Sequence, residues 1–359
     1  MSKLPDAAQL PAAPLHVSPC PEGTSLHLEG QSLCVASPVD FTEACFCVPA
    51  LRALMHFKPE STIAVLCPES QQALWQVMPE LNHVISYRDD ASARQIQGLL
   101  ADFEPKFESA VIWEAGKAAR ALAHAGVTQR LGYPASGLEK LLTDVVSVAN
   151  APGPIEHRVR HYLNFVEKLG ADGFVKANFL KPPMSAAPEK LRIVIAPLSE
   201  YGSAYQWPVE RFKEVMDVMD SRYSGIEWII LGGGSVEQKS DARVELEAMS
   251  PGRVKNDAKD LDQARVLETL KKSTALLACD GELAHVAAHV GLPAAVVFGP
   301  NEPEWRRPLG AQSLVIREHV ACSPCYLAKC PLDHRCQLQV SVEMVVASLE
   351  DAIKLRQEQ

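Results

Sequence analysis

The chain has 359 residues, enough for one large or two medium domains, and its 47% hydrophobic and 22% charged residues are the ordinary mix of a soluble globular protein. A formal net charge of -9 leaves no broad basic field, so nucleic acid is not an expected partner. No apolar run reaches the roughly 18 residues that a membrane-spanning helix needs, and the opening "MSKLPDAAQLPAAPLHVSPCPEG" has one lysine and no apolar core, unlike a secretory signal.

Residues 1–30 read as a Pro/Ala-rich tail. The cytoplasm is then the expected compartment, with Cys20, Cys34, Cys45, Cys47, Cys67 and Cys279 as free thiols. Strands are expected at 32–37 ("SLCVAS"), 62–67, 83–87 and 109–114, alternating with helices near 43–55, 69–77, 91–103 and 116–125. The Pro/Ala-rich stretch at 181–190 reads as an interdomain linker. A second alternation follows, with strands at 191–197, 227–234, 274–280 and 294–300 and helices near 208–221, 236–249, 261–271 and 282–290. The fold class is therefore α/β, with one doubly wound, Rossmann-like domain at 31–180 and another at 191–340. Ligands are expected in a cleft between the C-terminal ends of the two sheets. The apolar-periodic stretch 341–355 predicts a closing helix in 341–359, able to pack back on the first domain.

Four stretches carry candidate chemistry. In "CDGELAHVAAHVGLP" (279–293), Asp280 suits the cap of a helix starting at Gly281 or Glu282. Leu283, Val286, Ala287 and Val290 make one apolar stripe, and Gly291 and Pro293 end the helix. A helix start offers bare N–H groups and a partial positive charge, which suit a diphosphate. Glu282 stands in that first turn, either opposing a phosphate there or serving as an acid that the helix dipole favours. The glycine-rich "LGGGSVEQ" (231–238) follows a strand, but Glu237 stands where a dinucleotide fingerprint needs its third glycine, so a nicotinamide-dependent enzyme is excluded. "DFTE" (40–43) fits a capping box, with Asp40 as cap and Glu43 reaching back. Cys322, Cys325, Cys330 and Cys336, within a cysteine-rich loop at 319–336, can hold a structural zinc, remain reduced thiols or form a disulfide.

Five pieces in order, "CVPALRAL" (47–54), "TQRLGYP" (128–134), "YQWPVERF" (205–212), "CDGELAHVAAHVGLPAAVVFGPNEP" (279–303) and "CSPCYLAKCPLDHRC" (322–336), together resemble glycosyltransferase family 9, the ADP-heptose:lipopolysaccharide heptosyltransferases. The resemblance covers residues 32 to 350. It implies a GT-B fold, an N-terminal domain for a lipid-linked saccharide acceptor and a C-terminal domain for an ADP-heptose-like donor. It also implies inverting transfer with no catalytic metal. A lipid-linked acceptor would bring the protein to the cytoplasmic face of the inner membrane as a peripheral visitor.

The family's catalytic Asp follows a glycine and lies six residues before a Pro. Here that position is Glu43, preceded by Thr42, with Asp40 as the substitute base. The family's Asp-Ser/Thr-Gly-Pro-Met-His keeps Asp280 and His285 but has Gly281 for the hydroxyl residue and Glu282 for the glycine. Tyr205 replaces a phosphate-contacting lysine, and Ser199 stands where the family has Pro-Gly-Ala. Gly232 and Gly233 match the nucleotide loop, and Glu237 is the candidate contact to the nucleoside. Trp207 reads as core. Arg306 and Arg307 either replace the missing lysine's charge or are solvated at the surface. These departures leave a second reading, a catalytically weak relative that binds saccharide or a partner.

Overall fold

The computed structural model describes residues 26–147, 153–232, 242–257 and 263–359, and the backbone of 17–18 and 149–150. The chain divides into two compact units, Leu15–Leu180 and Lys181–Gln359. No helix of the described residues is long and apolar enough to cross a membrane.

The first unit is built on six strands, β1 Ser32–Ala36, β2 Thr62–Pro68, β3 His83–Tyr87, β4 Ser109–Ile112, β5 Gln129–Gly132 and β6 Asp144–Val145. They lie in the order β3-β2-β1-β4-β5-β6, every pair parallel. The second unit repeats this with β7 Arg192–Ala196, β8 Glu227–Ile230, β9 Val254–Asn256, β10 Ala275–Cys279, β11 Ala294–Val297 and β12 Ser313–Ile316. Their order is β9-β8-β7-β10-β11-β12, again all parallel. Each sheet is therefore doubly wound in the 3-2-1-4-5-6 order, with its switch point between the first and fourth strands. The central strands of a parallel sheet are covered on both faces and so are mostly apolar. β1 ("SLCVA") and β10 ("ALLAC") are buried at every position.

In the first unit α1 (Phe41–Phe57) packs against a helix not foreseen above, Val159–Lys168. Helices α2 (Ala93–Asp102) and α3 (Lys117–His124) pack on each other, and Val159–Lys168 is α4. The second unit has α5 (Val209–Arg222), α6 (Ala242–Met249), α7 (Gln263–Lys271), α8 (Glu282–Val290) and α9 (Val342–Gln357). β5, β6, β9 and β12 were also unforeseen. They are two to four residues long and include polar sequences such as "QRLG" and "VKN", so they carry too little periodicity to read.

Helix α9 places Val342, Val345, Val346, Leu349, Ala352 and Ile353 in one core with Ile195, Leu277, Val297 and Trp207. Its apolar face, thought able to reach the first domain, is thus used on the sheet of its own unit. The stretch read as a linker is also tied down here. The buried Arg356 guanidinium donates to the Ser185 carbonyl at 2.5 Å, and Gly291 ends α8 in the left-handed conformation beside Lys181 and Met184. Trp207 is core, its indole N–H donating to the Val340 carbonyl at 3.4 Å.

Leu349 is fully buried between α9 and this sheet. Leu349→Ala is expected to destabilise the protein by about 2–5 kcal/mol, read as a lowered urea midpoint at unchanged slope.

Candidate functional site

Two places bring partly or fully buried carboxyl groups to the start of a helix. The first is the start of α1. Asp40 caps the helix, its Oδ1 accepting from the Glu43 N–H at 2.9 Å. The Glu43 side chain makes a different contact from the capping box expected of it. It accepts from Arg158 Nε at 3.1 and 2.9 Å and from the Tyr162 hydroxyl at 2.5 Å. Arg158 immediately precedes α4 and Tyr162 lies within it, so the packing of α4 on α1 brings both donors to the carboxylate. Charged donors of this kind hold a carboxylate in one orientation. Tyr162 is 2% exposed, and burial, then the Glu43 charge, pushes its hydroxyl well above the usual tyrosine range, so it remains a donor. Nearby, Glu114 accepts from the Val39 N–H at 2.8 Å. Burial raises its pKa, and Asp40 and Glu43 add to the rise. A cavity of about 310 Å³ opens at the carboxyl ends of β1 to β4, lined among others by Ser37, Tyr87, Asp89, Trp113, Glu114 and Lys117.

The second place is the switch point of the second sheet, where the end of β7 faces the start of α8. Ser199 ties the two loops, its hydroxyl donating to the Asp280 carbonyl at 2.6 Å. Asp280 does not cap α8. The cap position is Gly281, in extended conformation. The Asp280 side chain is fully buried and its Oδ2 accepts from Asn301 Nδ2 at 2.8 Å. Its Oδ1 has no hydrogen-bond partner among the described residues. Burial raises Asp280 to about 7, against the opposing pull of Asn301 and Arg306.

The first-turn amide of α8 is taken by a residue that sequence reasoning missed. Glu200 Oε1 accepts from the Glu282 N–H at 2.5 Å. A Cβ added at Gly281 would lie 2.9 Å from Glu200 Oε2, so the Glu200 carboxyl covers the bare backbone of that glycine. Burial, then the charges of Glu282 and Asp280, pushes the Glu200 carboxyl well above the ordinary range. The only available signal was an acid two residues before the glycine of a strand-end loop, which is too common to single out.

His285, one turn into α8, is 1% exposed. Tyr205 is buried, its ring edge-on to Tyr201 at 5.4 Å, and its hydroxyl has no hydrogen-bond partner among the described residues. Arg306 is 6% exposed, so the surface reading of it is corrected. Its guanidinium lies 5.3 Å from the Tyr201 ring centroid and close enough to Asp280 and Tyr205 to act on both electrostatically. Arg307 is exposed. A Cβ at Gly232 would collide with the Arg243 guanidinium. Gly233 and Glu237 lie outside the described residues.

The cysteine-rich loop braces this site. Cys325 and Tyr326 N–H groups donate to the Pro300 carbonyl at 3.0 and 2.9 Å, and the Ala204 N–H donates to the Ala328 carbonyl at 3.0 Å. Its thiols are neighbours, since burial, followed by Cys325, Cys322 and Cys330, pushes Cys336 up to about 11. Yet among the described residues no three His, Cys, Asp or Glu side chains converge on a metal position, so the zinc expectation is not met by this arrangement. Cys34, Cys45, Cys47, Cys67 and Cys279 are buried free thiols, and Cys20 lies outside the described residues.

Two parallel six-stranded sheets of 3-2-1-4-5-6 order, each covered by helices, define a GT-B type of fold. Solved structures agree. The chain matches the Escherichia coli ADP-heptose lipopolysaccharide heptosyltransferase II with a TM-score of 0.71, 19% identity and coverage of 91% of this chain and 100% of that one. It matches a glycosyltransferase family 9 protein from Veillonella parvula DSM 2008 with a TM-score of 0.74, 14% identity and coverage of 92% and 100%. In sequence it is 25% identical over 297 residues to lipopolysaccharide heptosyltransferase 2 of Escherichia coli K12, covering 74% of this chain and 82% of the relative. The family model of glycosyltransferase family 9 (heptosyltransferase) matches residues 166–335. The family model covers just under half of the chain, and together with these relatives it supports a heptosyltransferase-like glycosyltransferase, similar to glycosyltransferase family 9.

Two stability predictions follow from this geometry. The raised Asp280 pKa means the folded state favours the protonated acid. Its contribution is full below the ordinary value near 3.8 and is lost as pH rises through about 7. Asp280→Asn should match the wild type near pH 4 and exceed it at pH 8 by on the order of 2–4 kcal/mol in denaturant titrations. Gly202 has φ +119°, and a Cβ there would collide with the Ala328 carbonyl. Gly202→Ala should cost about 2 kcal/mol or more, seen as a lowered melting temperature.

Proposed function

We propose that the chain transfers a heptose from an ADP-linked donor to a lipopolysaccharide-core-like saccharide, with inversion at the anomeric carbon. The observation that carries this reading is the Glu43 carboxylate, held by Arg158 and Tyr162 at the start of α1 in a chain similar to the heptosyltransferases. Glu43 takes the proton of the acceptor hydroxyl as that oxygen attacks the anomeric carbon. The bond from that carbon to the donor phosphate breaks, and the departing diphosphate carries the electron pair. The start of α8, at the switch point of the second sheet, is the place that suits this charge. Arg306, buried beside Asp280 and Tyr205, offers a cation in the same loop cluster where the expected lysine is replaced by Tyr205. These residues supply a base and an anion seat from the protein itself. The ADP-heptose donor is taken from the likeness to the Escherichia coli ADP-heptose lipopolysaccharide heptosyltransferase II. A lipid-linked acceptor would have the reaction run at the cytoplasmic face of the inner membrane.

The reading is checked by calorimetry with ADP and by transfer assays. ADP binding is expected below millimolar concentration, and its absence there rejects the donor assignment. Glu43→Gln should lower kcat by about 10²–10⁴-fold with ADP affinity intact. Unchanged turnover in that variant removes Glu43 as the base. Tyr162→Phe, which deletes one donor to that carboxylate, should lower kcat by about tenfold with ADP affinity intact.

A further inference from the structure

An anion site at a helix start normally waits for its ligand with its amides solvated. At α8 it does not. Glu200 leaves the end of β7, and its Oε1 accepts from the Glu282 N–H at 2.5 Å. Its Oε2 would lie 2.9 Å from a Cβ placed on Gly281, which is the backbone that a phosphate would have to approach. Ser199, the residue before it, holds the loop to the Asp280 carbonyl at 2.6 Å, and the Tyr201 N–H donates to the Ser199 hydroxyl at 3.3 Å. The carboxylate is therefore carried on a loop tied on both sides of it. A carboxylate and a phosphoryl group make the same demand on a helix start, an oxygen anion on an N–H group. They cannot share one amide.

We propose that Glu200 is an internal occupant of the donor phosphate seat, a residue that sets donor affinity because the diphosphate must displace its carboxyl before binding. This rests on the reading of the α8 start as the place of the donor diphosphate. Two neighbours load the competition further. Glu282 and Asp280 flank the carboxyl and, after burial, oppose its ionisation. Displacement moves the Glu200 carboxyl off the amide as the diphosphate comes in. A donor with a doubly charged phosphate gains more from the seat than the Glu200 carboxyl does, which lets it win at sufficient concentration. The cost falls on binding, so Glu200 acts on the donor KM. It does not touch the reacting atoms.

The experiment is calorimetric titration of the full chain with ADP and, separately, with inorganic pyrophosphate, for the wild type, Glu200→Gln and Glu200→Ser. Melting temperatures identify which variants are folded, and the serine variant serves if glutamine disturbs the loop. The expected result is ADP binding at least about tenfold tighter in the variants, with a lower donor KM and no rise in kcat. Equal or weaker ADP binding in folded variants overturns the proposal while leaving the donor assignment intact. If ADP binds none of the three proteins, the donor assignment fails. The proposal then stands only if pyrophosphate binds the variants more tightly than the wild type, and falls if pyrophosphate does not distinguish them.

Discussion

A parallel sheet in 3-2-1-4 order obliges its chain to leave the first and fourth strands toward opposite faces, and this opens a crevice at their carboxyl ends. In the second unit that crevice lies between β7 and β10, and the chain after each strand supplies its walls: Ser199 and Glu200 from one side, Asp280 and Gly281 from the other. Every group proposed to meet the donor is positioned by this one constraint or by loops that brace it. The register that pairs Leu277 with Ile195 and Ala278 with Ala196 sets the Asp280 carbonyl within reach of the Ser199 hydroxyl. With β10 one residue out of register, the Glu200 carboxyl could not reach the Glu282 amide.

The loops around this crevice hold more charge than an apolar setting tolerates without compensation. Asp280, Glu200 and Glu282 are three acids in one neighbourhood, and burial raises the first two. Compensation comes from several sources: the Asn301 amide on Asp280, the first-turn amide on Glu200 and the Arg306 guanidinium acting on Asp280. The cysteine-rich loop contributes by backbone. It clamps to Pro300 and Ala204, leaving Gly202 no room for a side chain against Ala328. Its role here is mechanical, and it acts on the turn that carries Tyr205.

The first unit uses the same topology for a different electrostatic result. At α1 the Glu43 carboxylate meets two donors, Tyr162 and Arg158, the latter 115 residues away in sequence. Asp40 takes over the capping duty, which leaves the Glu43 side chain for its contact with α4. One unit thus concentrates acids around an amide, and the other concentrates donors around an acid.

The alternation of strands and helices, the doubly wound class and the ends of α8 were legible because hydrophobic periodicity and glycine placement are local properties. So were Asp40 as a cap and Trp207 as core. The short polar strands and α4 were not, because their formation depends on neighbours already in place. Among the site residues, type and spacing pointed to Glu43 and Glu282, yet spacing carries no information about which distant side chain arrives. It was tertiary packing that brought Arg158 and Tyr162 to Glu43 and, in place of any cap by Asp280, brought Glu200 to the Glu282 amide. A hydrogen bond between residues 82 apart is a product of strand register, and register is decided only when the sheet assembles.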